Sequence, residues 1–231
     1  MPTRIAVLAS GRGSNLRALF EHRAPVASDV NVALVASDRA GAGALALGRQ
    51  YGAAAVVLEQ GERYEDALSE TLSRNTIDLV VLAGYLRLVP PSVVRTFRGR
   101  MLNVHPALLP AFGGRGMYGE RVHRAVLEAG ARVSGATVHF VDEVYDHGAI
   151  IAQWPVPVLA DDTASVLARR VLRAEHALLP RAVHAVAHGA VTLDATNRAR
   201  GTIALIPPDA IFSLATCEDE SFLDAPQPTA R

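Results

Sequence analysis

The chain has 231 residues, half of them hydrophobic and 20% charged, the balance of a folded globular protein with room for a sizeable core. Its 23 Lys and Arg offset its 23 Asp and Glu, so the formal charge is zero and nucleic-acid binding driven by phosphate neutralisation is not expected. A single cysteine excludes an intrachain disulfide framework or a thiolate zinc cluster, and no apolar run reaches the roughly 18 residues of a membrane span, so a soluble cytoplasmic protein is expected.

In chain order, RIAVLAS (4–10) reads as a buried strand, followed by a glycine turn and a helix over SNLRALFEHR. NVALVAS (31–37) is a second strand, with a helix over AGALALGRQYG closed by Gly52. AAVVL (54–58) is a third strand, with ERYEDALSETLSRN helical after it. IDLVVLAG (77–84) is a continuous apolar run of the kind found in parallel sheets. PPSVVRTF opens a short helix with prolines in its first turn, where they are tolerated, and MLNVH (101–105) is the fifth strand. VSGATVHFV (133–141) and AIIAQWPVPV (149–158), joined by DEVYDHG, read as an antiparallel pair added to the sheet. A long helix over roughly 163–188, bent at Pro180, follows; TIALIPP is a candidate last strand, and the acidic stretch beyond about 212 is expected to be a loose tail.

Strand–helix alternation of this kind predicts an α/β fold: a doubly wound, Rossmann-like, mostly parallel sheet with an antiparallel C-terminal addition. We expect one domain over 1–200, with an anion-binding half (1–100) and a catalytic half (101–200), and a short extension over 201–231. Ligands of such sheets sit beyond the carboxyl ends of the strands. The turn at 10–14, the segment 84–89 and the end of the fifth strand should therefore line one crevice.

Three stretches carry candidate chemistry. SGRGSNL (10–16) is a Gly-rich turn opening a helix, whose free N–H groups favour an anion, commonly a phosphate. Gly11 and Gly13 permit close backbone approach; Ser14 and Asn15 add side-chain donors. The pattern lacks the third glycine of the dinucleotide fingerprint, and the alternative is a plain tight turn with Ser14 as cap. In LNVHP, Asn103 and His105 are two apart and so point to one side of a strand, with Pro106 and Pro110 stiffening the exit. An amide there suits a developing oxyanion and an imidazole can move a proton. TVHFVDEVYDHG (137–148) holds His139 and an acidic loop. A carboxylate from it beside His105 would orient that ring and favour its protonated form; Asp142 and Asp146 both qualify by type. A solvated acidic turn is the alternative. His105, His139, His147 and Asp146 are zinc ligands by type, but their spacing does not support a metal site, and none is expected.

Taken together, VLASGRGSNLRAL, DLVVLAGYLRLV, LNVHPALLPAFGG, GATVHFVDEVYDHGAIIAQWPVPV and RAEHALLP, in that order, resemble the glycinamide ribonucleotide formyltransferases of purine synthesis over about residues 4 to 193. The resemblance implies transfer of a formyl group from 10-formyltetrahydrofolate, as co-substrate, to the amine of 5′-phosphoribosylglycinamide. It implies small-molecule partners only and a monomer or homodimer. By that likeness Gly13, Ser14 and Asn15 hold the 5′-phosphate and Glu175 binds the ribonucleotide. Leu86, Arg87, Leu88 and Val89 match the pterin segment, and Val141, Asp142, Glu143 and Val144 the folate loop beside it. Asn103, His105 and Asp146 match the catalytic trio, Asn103 also facing the folate, and His139 matches the assisting histidine. Asp146 is preferred over Asp142 because it precedes His147-Gly148, where the family carries Asp-Gly-Gly. The sequence departs from the pattern at His147, in the longer GRGMYGERVHR loop, and at Leu172, where some members carry a base; Arg115, Arg170 or Arg173 would then serve the phosphate.

Four rivals share or replace this chemistry. A folate deformylase would use the same trio with water as acceptor but usually has an N-terminal regulatory domain, and a non-catalytic binding module would keep only the sheet, against which the intact Asn103, His105 and Asp146 speak. Formyl transfer to initiator methionyl-tRNA calls for a tRNA-binding domain, for which the acidic C-terminal stretch is read as unsuited. A nicotinamide-dependent oxidoreductase would use Asp38, at the end of the second strand, to hold a ribose.

Overall fold

The computed structural model describes residues 2–22, 30–59, 61–201 and 203. The strand expected over TIALIPP and the acidic tail lie outside the described residues, apart from Ile203. The elements run β1 (Thr3–Leu8), α1 (Ser14–Glu21), β2 (Val30–Ser37), α2 (Gly43–Gln50), β3 (Ala54–Val57), α3 (Tyr64–Arg74), β4 (Leu79–Leu82), α4 (Pro91–Thr96) and β5 (Met101–His105), then α5 (Glu120–Glu128), β6 (Val133–Phe140), β7 (Ile150–Pro157), α6 (Ala164–Ala187), β8 (Val191–Leu193) and β9 (Ala199–Gly201).

One seven-stranded sheet has the order β3-β2-β1-β4-β5-β6-β7. Its first five members are parallel, β6 is antiparallel to β5, and β7 is antiparallel to β6. This is the doubly wound sheet with an antiparallel addition that the alternation of elements predicts. The continuous apolar runs follow from burial on both faces. Ile5 and Val7 of β1 pack with Leu16, Leu45, Val126, Leu167 and Leu178 of α1, α2, α5 and α6. Their neighbours Ala6 and Leu8 turn the other way, onto Leu68, Leu72, Val93 and Val94 of α3 and α4. Strand order reverses between β1 and β4, and a crevice opens at such a switch point.

Three elements are not evident from the sequence. Helix α5 buries Val122 and Val126, an i,i+4 pair, but the glycines just before it gave the whole stretch the look of a loop. β8 and β9 form a separate two-stranded hairpin too short for a periodic pattern to register. Strand β4 is shorter than expected because its ladder with β1 spans only Leu79–Leu82. Helix α6 continues through Pro180, and Thr163 caps it by accepting a hydrogen bond from the Val166 N–H.

Candidate active site

The antiparallel ladder of β5 with β6 sets Asn103 directly opposite His139 and His105 opposite Thr137. Side chains facing each other on one rung touch, and the Asn103 Nδ2 lies 3.0 Å from His139 Nε2. The His139 Nδ1–H donates to the Phe140 carbonyl at 2.8 Å, which leaves Nε2 as the acceptor for Asn103. Burial holds the proton affinity of His139 below the ordinary histidine range, against the pull of the Phe140 carbonyl and Asp146. A neutral ring in this tautomer fits both contacts.

Asp146 brings the carboxylate. Its backbone sits in the left-handed region at φ 54°, which aspartate tolerates better than most residues. One oxygen accepts from Asn103 Nδ2 at 3.3 Å; the other accepts from the Gly114 N–H at 2.9 Å and faces His105 Nδ1 at 3.4 Å. His105 Nε2 donates to the Phe112 carbonyl at 2.9 Å. Both nitrogens of His105 therefore face acceptors, a pattern an imidazolium satisfies completely. Four polar side chains from β5, β6 and the β6–β7 loop converge, as expected of Asn103, His105, His139 and Asp146.

Asp142, the other acid of that loop, is turned away. Its carboxylate accepts from the Val144 N–H at 2.9 Å and faces His147 Nδ1 at 2.7 Å near the surface. His147 thus closes the loop as a side-chain clasp. Glu143 pairs with Arg95 at 2.8 Å, and Val144 is exposed.

At the other end of the site, Gly13 has φ 86°, and a Cβ there would meet the Ala44 Cα at 2.9 Å. Its small size therefore serves the packing of α1 against α2, while Gly11 has open space beside it. Asn15 Nδ2 donates to Glu175 Oε2 at 2.6 Å, joining the start of α1 to the middle of α6 across 160 residues. Asn15 Oδ1 is buried without a partner among the described residues. Burial pushes the Glu175 carboxyl up to about 7, with the Asn15 hydrogen bond opposing.

A folded-state pKa raised above 4.5 means that the native state holds a proton the unfolded chain has released, so stability falls as pH rises from about 4.5 through 7. Replacing the acid removes that loss. Glu175→Gln should therefore raise the unfolding free energy by about 3 kcal/mol at pH 8 and by little at pH 5. Denaturant unfolding at both pH values tests this; equal effects at the two would refute it.

The two ends face one cavity of about 850 Å³. Gly13, Ser14, Asn15 and Glu175 line it together with Asn103, His105 and Asp146. Of the residues expected to face a folate, Leu86 lines it; Arg87, Leu88, Val89 and Val141 to Val144 do not. The Arg87 guanidinium lies 3.8 Å above the Tyr64 ring, and Val89 is buried on the α3 and α4 side. Leu86 is fixed by a relay in which its N–H donates to Ser10 Oγ at 3.0 Å and Ser10 donates to Asp38 Oδ1 at 2.6 Å. Asp38 is thereby engaged inside the fold, which removes the feature that favoured a nicotinamide ribose.

Among the candidate bases, Arg115 reaches the cavity, whereas Arg170 forks onto Asp162 at 2.6 and 2.9 Å and Arg173 does not line the cavity. Arg169 lines it instead. The helical period carried the missing signal: Ser165, Ala168, Arg169 and Leu172 share the face of Glu175 along α6. Arg12, Arg121 and His123 also line the cavity and were not singled out from the sequence. Among the described residues no group of three or more His, Cys, Asp or Glu side chains is arranged to hold a metal ion, and no helix is long and apolar enough to cross a membrane.

Residues 3–183 match the family described as formyl transferase. The chloroplastic phosphoribosylglycinamide formyltransferase of Arabidopsis thaliana is 44% identical over 189 residues, covering 79% of this chain and 65% of that protein. The Vigna unguiculata counterpart is 43% identical over 188 residues, covering 79% of this chain and 60% of its own length. The chain thus spans a little under two thirds of the length of these plant relatives. Among solved structures, glycinamide ribonucleotide transformylase 1 from Symbiobacterium toebii superposes with a TM-score of 0.79 at 40% identity, covering 87% of this chain and 94% of the other. Phosphoribosylglycinamide formyltransferase from Anaplasma phagocytophilum gives 0.79 at 34%, covering 87% and 95%.

Proposed function

The chain belongs to the formyl transferase family, and on that premise we propose that it transfers a formyl group from 10-formyltetrahydrofolate to the amine of 5′-phosphoribosylglycinamide, a step of purine synthesis. The observation that carries this reading is the convergence of Asn103, His105 and Asp146 in one cavity with the α1 turn and Glu175. The 5′-phosphate sits at the first turn of α1, against the Gly13, Ser14 and Asn15 backbone, where free N–H groups and the helix dipole favour an anion. Arg115 and Arg169 supply positive charge to the same cavity. Glu175 receives the glycinamide portion. The folate enters beside Leu86 and the 141–147 loop.

The substrate amine attacks the formyl carbon, its nitrogen lone pair forming the new C–N bond while the C=O π pair moves onto oxygen. Asn103 and a protonated His105 stabilise that oxyanion, and Asp146 orients both. Collapse of the adduct breaks the bond to the folate nitrogen, which takes the proton released by the attacking amine. His139 acts as a positioning residue that aims the Asn103 amide. The reading treats residues 1–200 as one catalytic domain and places the protein in the cytoplasm, as a monomer or homodimer with small-molecule substrates and no metal.

The test is direct: the protein is mixed with 5′-phosphoribosylglycinamide and 10-formyltetrahydrofolate, and the released folate is followed by absorbance. Turnover that needs both compounds is expected. Folate release without the ribonucleotide would mark a hydrolase, and no turnover would overturn the proposal.

A further inference from the structure

The donors of the Asn103–His105–Asp146 group are already engaged. Asn103 Nδ2 serves His139 and Asp146, and His105 serves Phe112 and faces Asp146. To reach a substrate, the Asn103 amide must exchange its 3.3 Å bond to Asp146. One buried polar side chain of the same cavity is differently placed. His123, in the first turns of α5, is 4% exposed and lines the cavity. Val122 and Val126 bury into the core and His123 is the polar member of that buried face. Its Nδ1 is sealed from solvent and has no partner among the described residues.

That geometry fixes the tautomer. A proton on Nδ1 would be a buried donor with nothing to accept it, the costlier of the two arrangements. The neutral ring therefore keeps its proton on Nε2, the other nitrogen of this cavity-lining ring. The ring is also held neutral: burial lowers its proton affinity and the nearby His105 lowers it further, with Glu120 opposing. A neutral imidazole can act as an electrophile, donating a hydrogen bond to a carbonyl oxygen without competing for a proton.

We propose that His123 is a further catalytic residue of this site, its Nε2–H donating to the oxyanion that forms from the formyl carbonyl. The inference rests on the formyl-transfer reading above. It assigns His123 a contact with the reacting oxygen rather than with the phosphate, because the ring lines the same cavity as Asn103, His105 and Asp146. No proton is transferred at this contact; the hydrogen bond strengthens as charge builds on oxygen and relaxes as the adduct collapses.

Three variants test it. In His123→Gln the amide nitrogen falls near the position of Nε2, whereas in His123→Asn it falls near Nδ1. His123→Ala should lower kcat about 100-fold with KM for either substrate within about threefold, the loss typical of one missing oxyanion donor. His123→Gln should recover most of the rate and His123→Asn should not. Melting temperatures keep a folding defect separate, and the Gln-to-Asn contrast remains decisive if the alanine variant does not fold. A kcat within threefold in the alanine variant, a loss confined to the KM of the ribonucleotide, or Asn recovering as well as Gln would each overturn the inference. The wild type assayed alongside separates the two claims: an inactive wild type sinks the formyl-transfer reading and this inference with it, and an active wild type beside an unimpaired alanine variant sinks the inference alone.

Discussion

Asp146→Asn should lower the proposed turnover with 10-formyltetrahydrofolate and 5′-phosphoribosylglycinamide by about 100- to 1000-fold while the protein stays folded. The carboxylate accepts from Asn103 and from the Gly114 N–H, and faces His105 at 3.4 Å and His139 at 3.8 Å. An amide of the same shape offers one acceptor and one pair of hydrogens, so one of its faces must confront a donor with a donor. It also withdraws the negative charge next to His105. Asn103→Ala removes the amide that Asp146 and His139 jointly aim, and the same order of loss is expected. Steady-state kinetics with far-UV circular dichroism as the folding control measures both. Turnover within about threefold of wild type in either variant would contradict the proposed roles.

Gly148→Ala should damage stability and rate together. A Cβ at this position would sit 1.9 Å from the Phe140 carbonyl oxygen and 2.9 Å from its carbon, both fixed backbone atoms of β6. The chain must move by an ångström or more to admit one methyl group, and forced overpacking of this kind costs typically about 1–3 kcal/mol. The movement passes straight into Asp146, two residues away in the same loop. We expect a lower melting temperature and a loss of turnover approaching that of Asp146→Asn. A stable variant with normal kinetics would show that the loop is not pinned at Gly148.

The contrast between the Asn103–His105 pair and Asp146 shows what a linear sequence discloses. Asn103 and His105 were legible because strand geometry is local: period two on an apolar run puts both on one side, and a proline marks the end of the strand. Asp146 was not legible from spacing alone, since Asp142 fits equally well. The choice came from a family likeness, and its physical basis lies in the loop. A left-handed residue at 146 swings that carboxylate inward, while His147 holds Asp142 at the surface. The fold was read from buried strands whose two faces are both covered. Helix α5 was missed because Gly113, Gly114, Gly116 and Gly119 precede it, and with it went His123. Arg169 is marked only by the helical face it shares with Glu175, whereas the family likeness points to the neighbourhood of Leu172, where Arg170 and Arg173 stand.

The ladder that pairs β5 with β6 makes a single slab of the whole sheet, from β3 at one edge to β7 at the other. The proposed phosphate site follows β1 and the Asn103–His105–Asp146 group belongs to β5 and the loop after β6, with β4 hydrogen-bonded between β1 and β5. An enzyme made of two lobes can shut like jaws on its cargo. Here such a bite would have to shear a hydrogen-bonded ladder. On the formyl-transfer reading, admission and release then fall to the exposed cavity-lining segments around Tyr118 and Tyr145, and the proposed spacing between phosphate and reacting carbon stays constant like the markings on a ruler.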